Sequence, residues 1–281
     1  MSAQIIDGKL TSQKIKDNLK IKIAKYTEET GKNISLAVIL VGENPASQVY
    51  VKNKIKSCEY VGIKSLAYYL PETSTQEEVE SLVNSLSNDI NVNGILVQLP
   101  LPKHLDEEKI LKLIPPKKDV DGFCRENVGD LLLGKDCTVA CTPFGVMKLL
   151  EEYNIPTSGK NAVVLGRSNI VGKPMAILLL NANATVTVCH SKTVNLNKIC
   201  KSADILVAAI GKPEFVTKEM VKEGAIVIDV GINRVDGKLV GDVKYDEVST
   251  IASYITPVPG GVGPMTIAML MENTYLAAIR G

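Results

Sequence analysis

Residues 161–191 read NAVVLGRSNIVGKPMAILLLNANATVTVCHS, and the order of patterns in this stretch decides the fold. A short apolar, β-rich run, Ala162 to Leu165, leads into a glycine turn, Gly166-Arg167-Ser168. The segment from about Gly172 to Asn183 has helical length and an apolar stripe, and Thr185 to Cys189 is a second β-rich run. Strand, turn, helix and strand within about thirty residues make one βαβ unit, the size of a mononucleotide-binding unit.

The turn departs from the usual G-x-G-x-x-G fingerprint. Its pattern is Gly166-x-Ser168-x-x-x-Gly172. Ser168 stands where a second glycine would let the backbone approach a pyrophosphate, and its hydroxyl can hydrogen-bond a phosphate instead. The physical core is kept, because free amides at a helix N-terminus favour an anion. NAD-binding folds place a carboxylate about twenty residues further on, where it accepts the ribose hydroxyls. Here that place holds His190-Ser191-Lys192, with no Asp or Glu. Arg167 in the turn, with Ser191 and Lys192 across from it, supplies donors and positive charge suited to a 2′-phosphate. The expected cofactor is therefore NADP rather than NAD. The alternative is a glycine turn that binds nothing, with Arg167 and Ser191 merely solvated.

At 281 residues the chain has room for about two domains with substantial cores. Apolar residues make up 45% and charged residues 22%, a globular rather than a disordered composition. A net charge of +1 gives no footprint for nucleic acid, so the expected partner is a small molecule. The longest apolar runs, such as Leu36 to Val41 and Ile205 to Ile210, are far too short to span a bilayer. No signal-peptide pattern opens the chain, so a cytosolic location is expected. Six cysteines are scattered without a CxxC, and only two histidines, His104 and His190, are present. No metal site is expected from that spacing. Acid–base chemistry then falls to Lys, Tyr, Asp or Glu.

Taken in order, the chain alternates α and β, which implies parallel sheets. A helix is expected from Leu10 to about Thr30, and Leu36 to Val41 is apolar on both faces, as a buried parallel strand should be. Asn44-Pro45 is a helix start, with Gly62 as the stop. Lys64 to Leu70 reads as a strand, and Thr75 to Ile90 as a helix with Ser74 or Thr75 as its cap and Glu77 or Glu78 completing a capping box. Gly94 to Leu99 reads as a buried strand and Asp106 to Ile114 as a short helix. An irregular stretch runs from the Lys117–Phe123 loop to about Cys141. A helix follows from Phe144 to Tyr153. After the opening βαβ unit come a helix near 196–202, a strand from Ile205 to Ile210, a short helix near 218–222 and a strand from Ala225 to Val230. A tight hairpin is expected at Asp236-Gly237. Thr256 to Met265 is a ten-residue loop with three prolines and three glycines, a shaped loop rather than a flexible linker. A closing helix is expected from about Thr266 to Ile279.

Three places offer candidate chemistry. Tyr50 and Lys54 lie four apart and share a helix face, although the cluster Lys52, Lys54 and Lys56 reads equally well as a solvated surface. Gln98 is polar at the C-terminal end of an apolar strand, where open α/β sheets place ligands. Asp121 sits in a loop with Asp119 and Gly122, as a substrate acceptor or as a turn residue.

At these positions the chain resembles the bifunctional methylenetetrahydrofolate dehydrogenase/methenyltetrahydrofolate cyclohydrolase family. The resemblance covers essentially all 281 residues. It is carried by PASQVYVKNK (45–54), GILVQLPLP (94–102), KDVDGF (118–123), GRSNIVGKP (166–174), DVGINR (229–234) and PVPGGVGPMT (257–266), in order and at these spacings. It implies two α/β domains. Residues 1–120 would form a folate-binding catalytic domain, 141–265 a Rossmann-like parallel sheet binding the dinucleotide, and 121–140 a linker. The active-site cleft would lie between the domains, and a C-terminal helix of about 266–281 would pack back on the first.

By the same resemblance the catalytic lysine falls on Lys54 and the stacking tyrosine on Tyr50. The glutamine touching the lysine falls on Gln98, and the pterin-binding aspartate on Asp121. The loop Gly260 to Pro264, with Gly263 and Pro264, would flank the folate. Gly166, Arg167, Ser168, Ser191 and Ile232 would hold NADP. The implied reactions are oxidation of 5,10-methylenetetrahydrofolate and hydrolysis of the methenyl product to 10-formyltetrahydrofolate, a supply of one-carbon units for purine biosynthesis. Lys54 can serve as base and acid in the hydrolysis if part of its population is neutral. A homodimer joined through the nucleotide domain is also implied, with no nucleic-acid or membrane partner. Competing readings are an NADP-dependent dehydrogenase of another substrate, a non-catalytic NADP sensor, and a member with only one of the two activities.

Overall fold

All seven residues of Ser35–Val41 are buried, as a strand apolar on both faces requires. Around it the rest of one sheet is laid down. The computed structural model describes residues 2–280. In chain order the elements are β1 (Gln4–Ile5), α1 (Gly8–Thr30), β2 (Ser35–Val41), α2 (Pro45–Val61), β3 (Lys64–Leu70), α3 (Gln76–Asn88), β4 (Gly94–Val97), α4 (Glu107–Lys112), α5 (Arg125–Leu132) and α6 (Cys141–Glu152). Then follow β5 (Asn161–Leu165), α7 (Gly172–Asn181), β6 (Thr185–Cys189), α8 (Leu196–Cys200), β7 (Ile205–Ala208), β8 (Ile226–Asp229), β9 (Asn233–Val235), β10 (Lys238–Val240), α9 (Tyr245–Val248), β11 (Tyr254–Ile255) and α10 (Val262–Arg280).

The chain divides into two compact units, each built from two stretches of sequence. One joins Gln13–Cys141 to the segment from Ile267 onward, and the other joins the segment through Ser12 to Thr142–Thr266.

In the unit containing Gln13–Cys141, β3, β2 and β4 form a parallel sheet in that order. The helix ends are those written in the sequence. Asn44 accepts from Ser47 N, and Gly62 closes α2 in the left-handed region at φ 89. Thr75 and Glu78 form a reciprocal capping box at α3. The buried face of α3, Val79, Val83 and Leu86, packs with Ala37, Ile39, Ile95 and Val97. The chain then returns along β4, with Ile95 N donating to Lys118 O at 2.8 Å and Asp119 bridging to Ile95 in parallel. The stretch expected to be an irregular linker contains a helix, α5. Val128 and Leu132 on it are exposed, as is Leu133 just after it, and only Asn127 and Leu131 are buried, so the apolar stripe that marks a helix is missing.

In the unit containing Thr142–Thr266, six strands run parallel in the order β1-β11-β8-β7-β5-β6. Its core includes Val163, Leu165, Leu206, Ala208, Val227 and Ile255, with Val216, Met220 and Val248 packed among them. The chain leaves β5 to one side for β6 and then crosses to β7 on the other, so the carboxyl ends of β5 and β7 flank a topological switch point. β1 pairs with β11, which is why residues up to Ser12 belong here. The hairpin at Asp236-Gly237 forms as expected, with φ of 48 and 78 at the two turn residues. α10 begins at Val262, four residues earlier than expected, so Gly263 and Pro264 lie in its first turn. Proline is tolerated there because first-turn amides have no intrahelical acceptor. The preceding loop is tied down by Gly261 N to Pro257 O at 2.8 Å and Lys9 N to Gly260 O at 2.9 Å. No helix among the described residues is long and apolar enough to cross a membrane.

Candidate active site

The helix α2 starts where β2 ends and carries Tyr50 and Lys54 one turn apart. Tyr50 is 44% exposed. Gln98 is the first residue beyond β4, and its backbone N donates to Ile39 O at 2.8 Å, which ties it to β2. Its side chain is held at both ends. Nε2 donates to Leu99 O at 2.8 Å, and Oε1 accepts from Lys54 Nζ at 2.9 Å. The carbonyl of Leu99 thereby fixes which end of the amide faces the lysine.

The two aspartates of the 118–123 loop do different work. Asp119 is buried and structural. Its Oδ1 accepts from Gly122 N at 3.0 Å, and its Oδ2 from Cys124 N at 2.8 Å and Asn127 Nδ2 at 3.1 Å. Gly122 has φ +73, and a Cβ there would lie 2.6 Å from Ala140 N. Asn273 of α10 completes the frame, donating through Nδ2 to Val120 O and Val139 O, both at 2.9 Å. Asp121 is left over. It is partly buried, and among the described residues its carboxyl has no hydrogen-bond partner. Burial pushes that carboxyl up to about 6. The positive charge of Lys54 pulls the other way, and the negative charge of Asp119 adds to the rise. A lysine, a glutamine and an unpartnered carboxylate thus gather at the carboxyl end of a parallel sheet. That set can accept hydrogen bonds from a flat N–H-bearing ligand and move a proton beside it.

In the other unit the β5 turn is shaped by its glycines. Gly166 has φ +122, and a Cβ on it would lie 2.1 Å from Ala209 O; a Cβ on Gly172 would lie 2.3 Å from Gly166 O. Ser168 Oγ accepts from Val171 N at 3.2 Å and Gly172 N at 3.3 Å. The hydroxyl therefore caps the first amides of α7, and its own proton remains to donate. Arg167 is exposed and has no ion-pair partner among the described residues. At the end of β6, Lys192 N donates to His190 Nδ1 at 3.1 Å and His190 N to Thr193 Oγ1 at 2.8 Å, leaving the Ser191 and Lys192 side chains exposed. Ile232, 47% exposed, follows β8, and a Cβ on Gly263 would lie 3.6 Å from its Cδ1. Pro264 comes next in the first turn of α10. Gly166, Arg167, Ser168, Ser191 and Ile232 all lie at carboxyl ends of strands in one sheet, and Tyr50, Lys54, Gln98 and Asp121 belong to the other unit.

Sequence comparison matches residues 6–121 to the catalytic domain of tetrahydrofolate dehydrogenase/cyclohydrolase and residues 140–280 to its NAD(P)-binding domain. The chain belongs to the tetrahydrofolate dehydrogenase/cyclohydrolase family. It is 60% identical over 276 residues to the bifunctional protein FolD of Campylobacter concisus, covering 98% of this chain and 97% of that protein. The crystal structure of the bifunctional FolD enzyme from Campylobacter jejuni superposes with a TM-score of 0.97 at 56% identity, covering 99% of each chain. The Trypanosoma brucei methylenetetrahydrofolate dehydrogenase-cyclohydrolase, solved with NADP and an inhibitor, gives a TM-score of 0.95 at 40% identity, covering 100% of this chain and 98% of that one.

Within this tetrahydrofolate dehydrogenase/cyclohydrolase, the residues that support the site carry little signal in the sequence, where Asp119 is only a neighbour of Asp121 and Asn273 lies outside every motif. The polar run Glu272-Asn273-Thr274 breaks the apolar stretch of α10, but only the structure shows that Asn273 and Thr274 are buried.

Proposed function

We propose that this chain catalyses two consecutive reactions on the one-carbon unit of tetrahydrofolate, with Lys54, Gln98, Asp121 and Tyr50 as the residues that handle the folate. First, 5,10-methylenetetrahydrofolate is oxidised to 5,10-methenyltetrahydrofolate with NADP. Water then opens the methenyl bridge to give 10-formyltetrahydrofolate. The observation that carries the reading is the Lys54–Gln98 hydrogen bond beside the unpartnered Asp121, in a chain with both domains of the family.

The residues of the nucleotide unit fit NADP. Arg167, Ser191 and Lys192 offer exposed donors and positive charge with no carboxylate at the end of β6, and the Gly166 turn opens a helix N-terminus. When bound, NADP supplies the hydride acceptor. The chain's own residues orient and protonate. Asp121, as a carboxylate, accepts hydrogen bonds from the amino and ring N–H groups of the pterin. Tyr50 stacks on the folate's aromatic system. The family resemblance also assigns Gly263 and Pro264 to the folate. The folate nitrogens stabilise the cation formed by hydride loss, so the first step needs positioning more than acid catalysis.

In the second step the C–O bond forms as water attacks the methenyl carbon. The bond from that carbon to one ring nitrogen breaks, that nitrogen gains a proton, and one proton is released overall. Lys54 takes the proton from water and delivers one to the leaving nitrogen, while Gln98 Oε1 holds the amine in place. In this reading the unit containing Gln13–Cys141 binds folate and the unit containing Thr142–Thr266 binds NADP.

A product assay tests it. Purified protein receives 5,10-methylenetetrahydrofolate with NADP or with NAD, and reduced cofactor, methenyl and 10-formyl products are quantified. Reduced NADP with 10-formyl product is the expected result. Methenyl accumulation would remove the hydrolytic half, and equal use of NAD would remove the role given to Arg167 and Ser191. The family resemblance further supports a cytosolic homodimer supplying one-carbon units for purine biosynthesis, with no nucleic-acid or membrane partner. A monomer by sedimentation would end the homodimer assignment.

A further inference from the structure

Two buried carboxylates in the nucleotide unit take no part in this chemistry. Asp229 closes β8 and is 3% exposed, and Asp242 follows β10 and is 0% exposed. Asp242 Oδ2 accepts from Ile210 N at 2.7 Å and Gly211 N at 2.9 Å. Its Oδ1 accepts from Lys212 N at 2.9 Å and Asn233 Nδ2 at 3.0 Å. Successive amides converging on one anion make a nest of the kind that binds phosphate. Here the chain fills the nest with its own carboxylate.

Asp229 holds Asp242 in turn. Its Oδ1 accepts from Gly231 N at 3.0 Å and Asp242 N at 2.9 Å, and its Oδ2 from Val243 N at 2.9 Å. Space is equally restricted. A Cβ on Gly231 would lie 2.2 Å from the Asp242 carboxyl carbon, and one on Gly241 would lie 1.8 Å from Asp229 Oδ2. The turn after β7 (210–212) and the turn after β8 (231–233) therefore both hang on these side chains. β7 is hydrogen-bonded to β5 on one side and β8 on the other, and all three strands run parallel. Both turns thus stand at the carboxyl end of the sheet, beside the Gly166 turn, where open α/β sheets bind nucleotides. Ile232 lies in the second of them.

The geometry points to Asp242 as a positioning residue for NADP, whose carboxylate fills the amide nest after β7 and, through Asn233, sets the turn that carries Ile232. This rests on the NADP reading above. Removing the carboxylate leaves three amides and the Asn233 side chain without their acceptor, and such donors rearrange to find others. The cofactor then meets two loosened turns. Hydrolysis of the methenyl bridge consumes no cofactor, and Lys54, Gln98 and Asp121 belong to the other unit. The defect should therefore divide the two activities.

The test compares wild type with Asp242→Asn, Asp242→Ala and Asn233→Ala. NADP affinity is read by calorimetry, KM for NADP in the dehydrogenase assay, and hydrolysis of 5,10-methenyltetrahydrofolate without cofactor. Expected are a tenfold or greater loss of NADP affinity in both Asp242 variants, a matching rise in KM, and hydrolysis within twofold of wild type. Asn233→Ala, which removes only the link to the second turn, should lose affinity several-fold. NADP affinity within twofold of wild type in folded Asp242 variants would overturn the inference, as would equal loss of both activities. If the Asp242 variants do not fold, unchanged affinity in Asn233→Ala overturns it alone. Absence of NADP binding in the wild type would fall on the functional reading and take this inference with it. Normal wild-type binding with unchanged variants falls on the inference only.

Discussion

Lys54 Nζ lies 2.9 Å from Gln98 Oε1, and Gln98 Nε2 is committed to Leu99 O at 2.8 Å. The amide is thus locked in the orientation that presents an acceptor. A lysine on α2 and a glutamine after β4 meet because both elements reach the carboxyl end of the same three-stranded sheet.

Lys54→Met keeps the length of the side chain and removes the proton carrier. A positioned acid–base group contributes on the order of 100- to 10,000-fold, so methenyl hydrolysis should fall by that order. Oxidation, which needs no proton carrier in this reading, should fall by roughly tenfold or less. Separate rates for the two half-reactions decide it. If both survive equally, Lys54 has no part in the mechanism.

Asp121 should link folate affinity to pH. Its carboxyl is raised to about 6, chiefly by burial. Below that pH it is protonated and loses an acceptor for the pterin N–H groups. KM for 5,10-methylenetetrahydrofolate should therefore rise as pH falls from 7 to 5, and Asp121→Asn should be weak and flat across that range. A wild-type KM without this rise would leave Asp121 a turn residue.

The same carboxyl makes a stability prediction of opposite character. A native carboxyl with a raised pKa holds more protons than the unfolded chain between about pH 4 and 6, so stability falls as pH climbs through that window. The loss is complete above the folded value. Asp121→Asn lacks it and should be more stable than wild type at pH 7 to 8, by on the order of 1–3 kcal/mol. The difference should vanish near pH 4. Denaturant titrations at the two pH values measure it, and a variant less stable than wild type at pH 7.5 contradicts it.

Much of this fold was legible wherever the deciding chemistry is local. Lys64–Leu70 and Thr185–Cys189 are strands over the residues their composition marks. Asn44, Gly62 and the Thr75–Glu78 box end helices where capping chemistry says they must. The rest depends on partners distant in sequence. β1 and β11 have two residues each and exist only through their pairing with each other and, for β11, with β8. Lys54 sits between Lys52 and Lys56, both exposed, and what distinguishes it is a hydrogen bond to a residue 44 positions away. Asn273 reaches 153 positions back to Val120, and Asp242 reaches 32 positions back to Ile210. No local pattern encodes such a contact. Short of the family resemblance, Lys54 and Gln98 could not have been separated from ordinary surface residues.

Gly122 tests whether the frame around Asp121 matters as much as the carboxyl itself. Its φ of +73 costs a non-glycine residue about 1–2 kcal/mol, and a Cβ would lie 2.6 Å from both Ala140 N and Val139 C. Neither is the end of a flexible side chain, so the loop must move. Gly122→Ala should lower stability by about 2–4 kcal/mol and raise KM for folate, with NADP affinity near wild type.

Arg167 carries the remaining prediction, on cofactor choice. It is exposed and unpaired among the described residues, at the end of β5, and no carboxylate follows β6 to accept ribose hydroxyls. A charge-assisted hydrogen bond to a 2′-phosphate is worth about 1.5–3 kcal/mol, or roughly 10- to 100-fold in affinity. Arg167→Ala should weaken NADP by that factor and leave NAD, which lacks the phosphate, nearly unchanged. Ser191→Ala should act in the same direction and more weakly, since a neutral hydroxyl gives up less. Rising ionic strength should erode the NADP preference of the wild type, because an exposed cation is screened by salt, and should do so less in Arg167→Ala. Parallel titrations of both cofactors on both variants separate this reading from its rival: a loss shared equally by NADP and NAD would mean that Arg167 supports the turn rather than reading the phosphate.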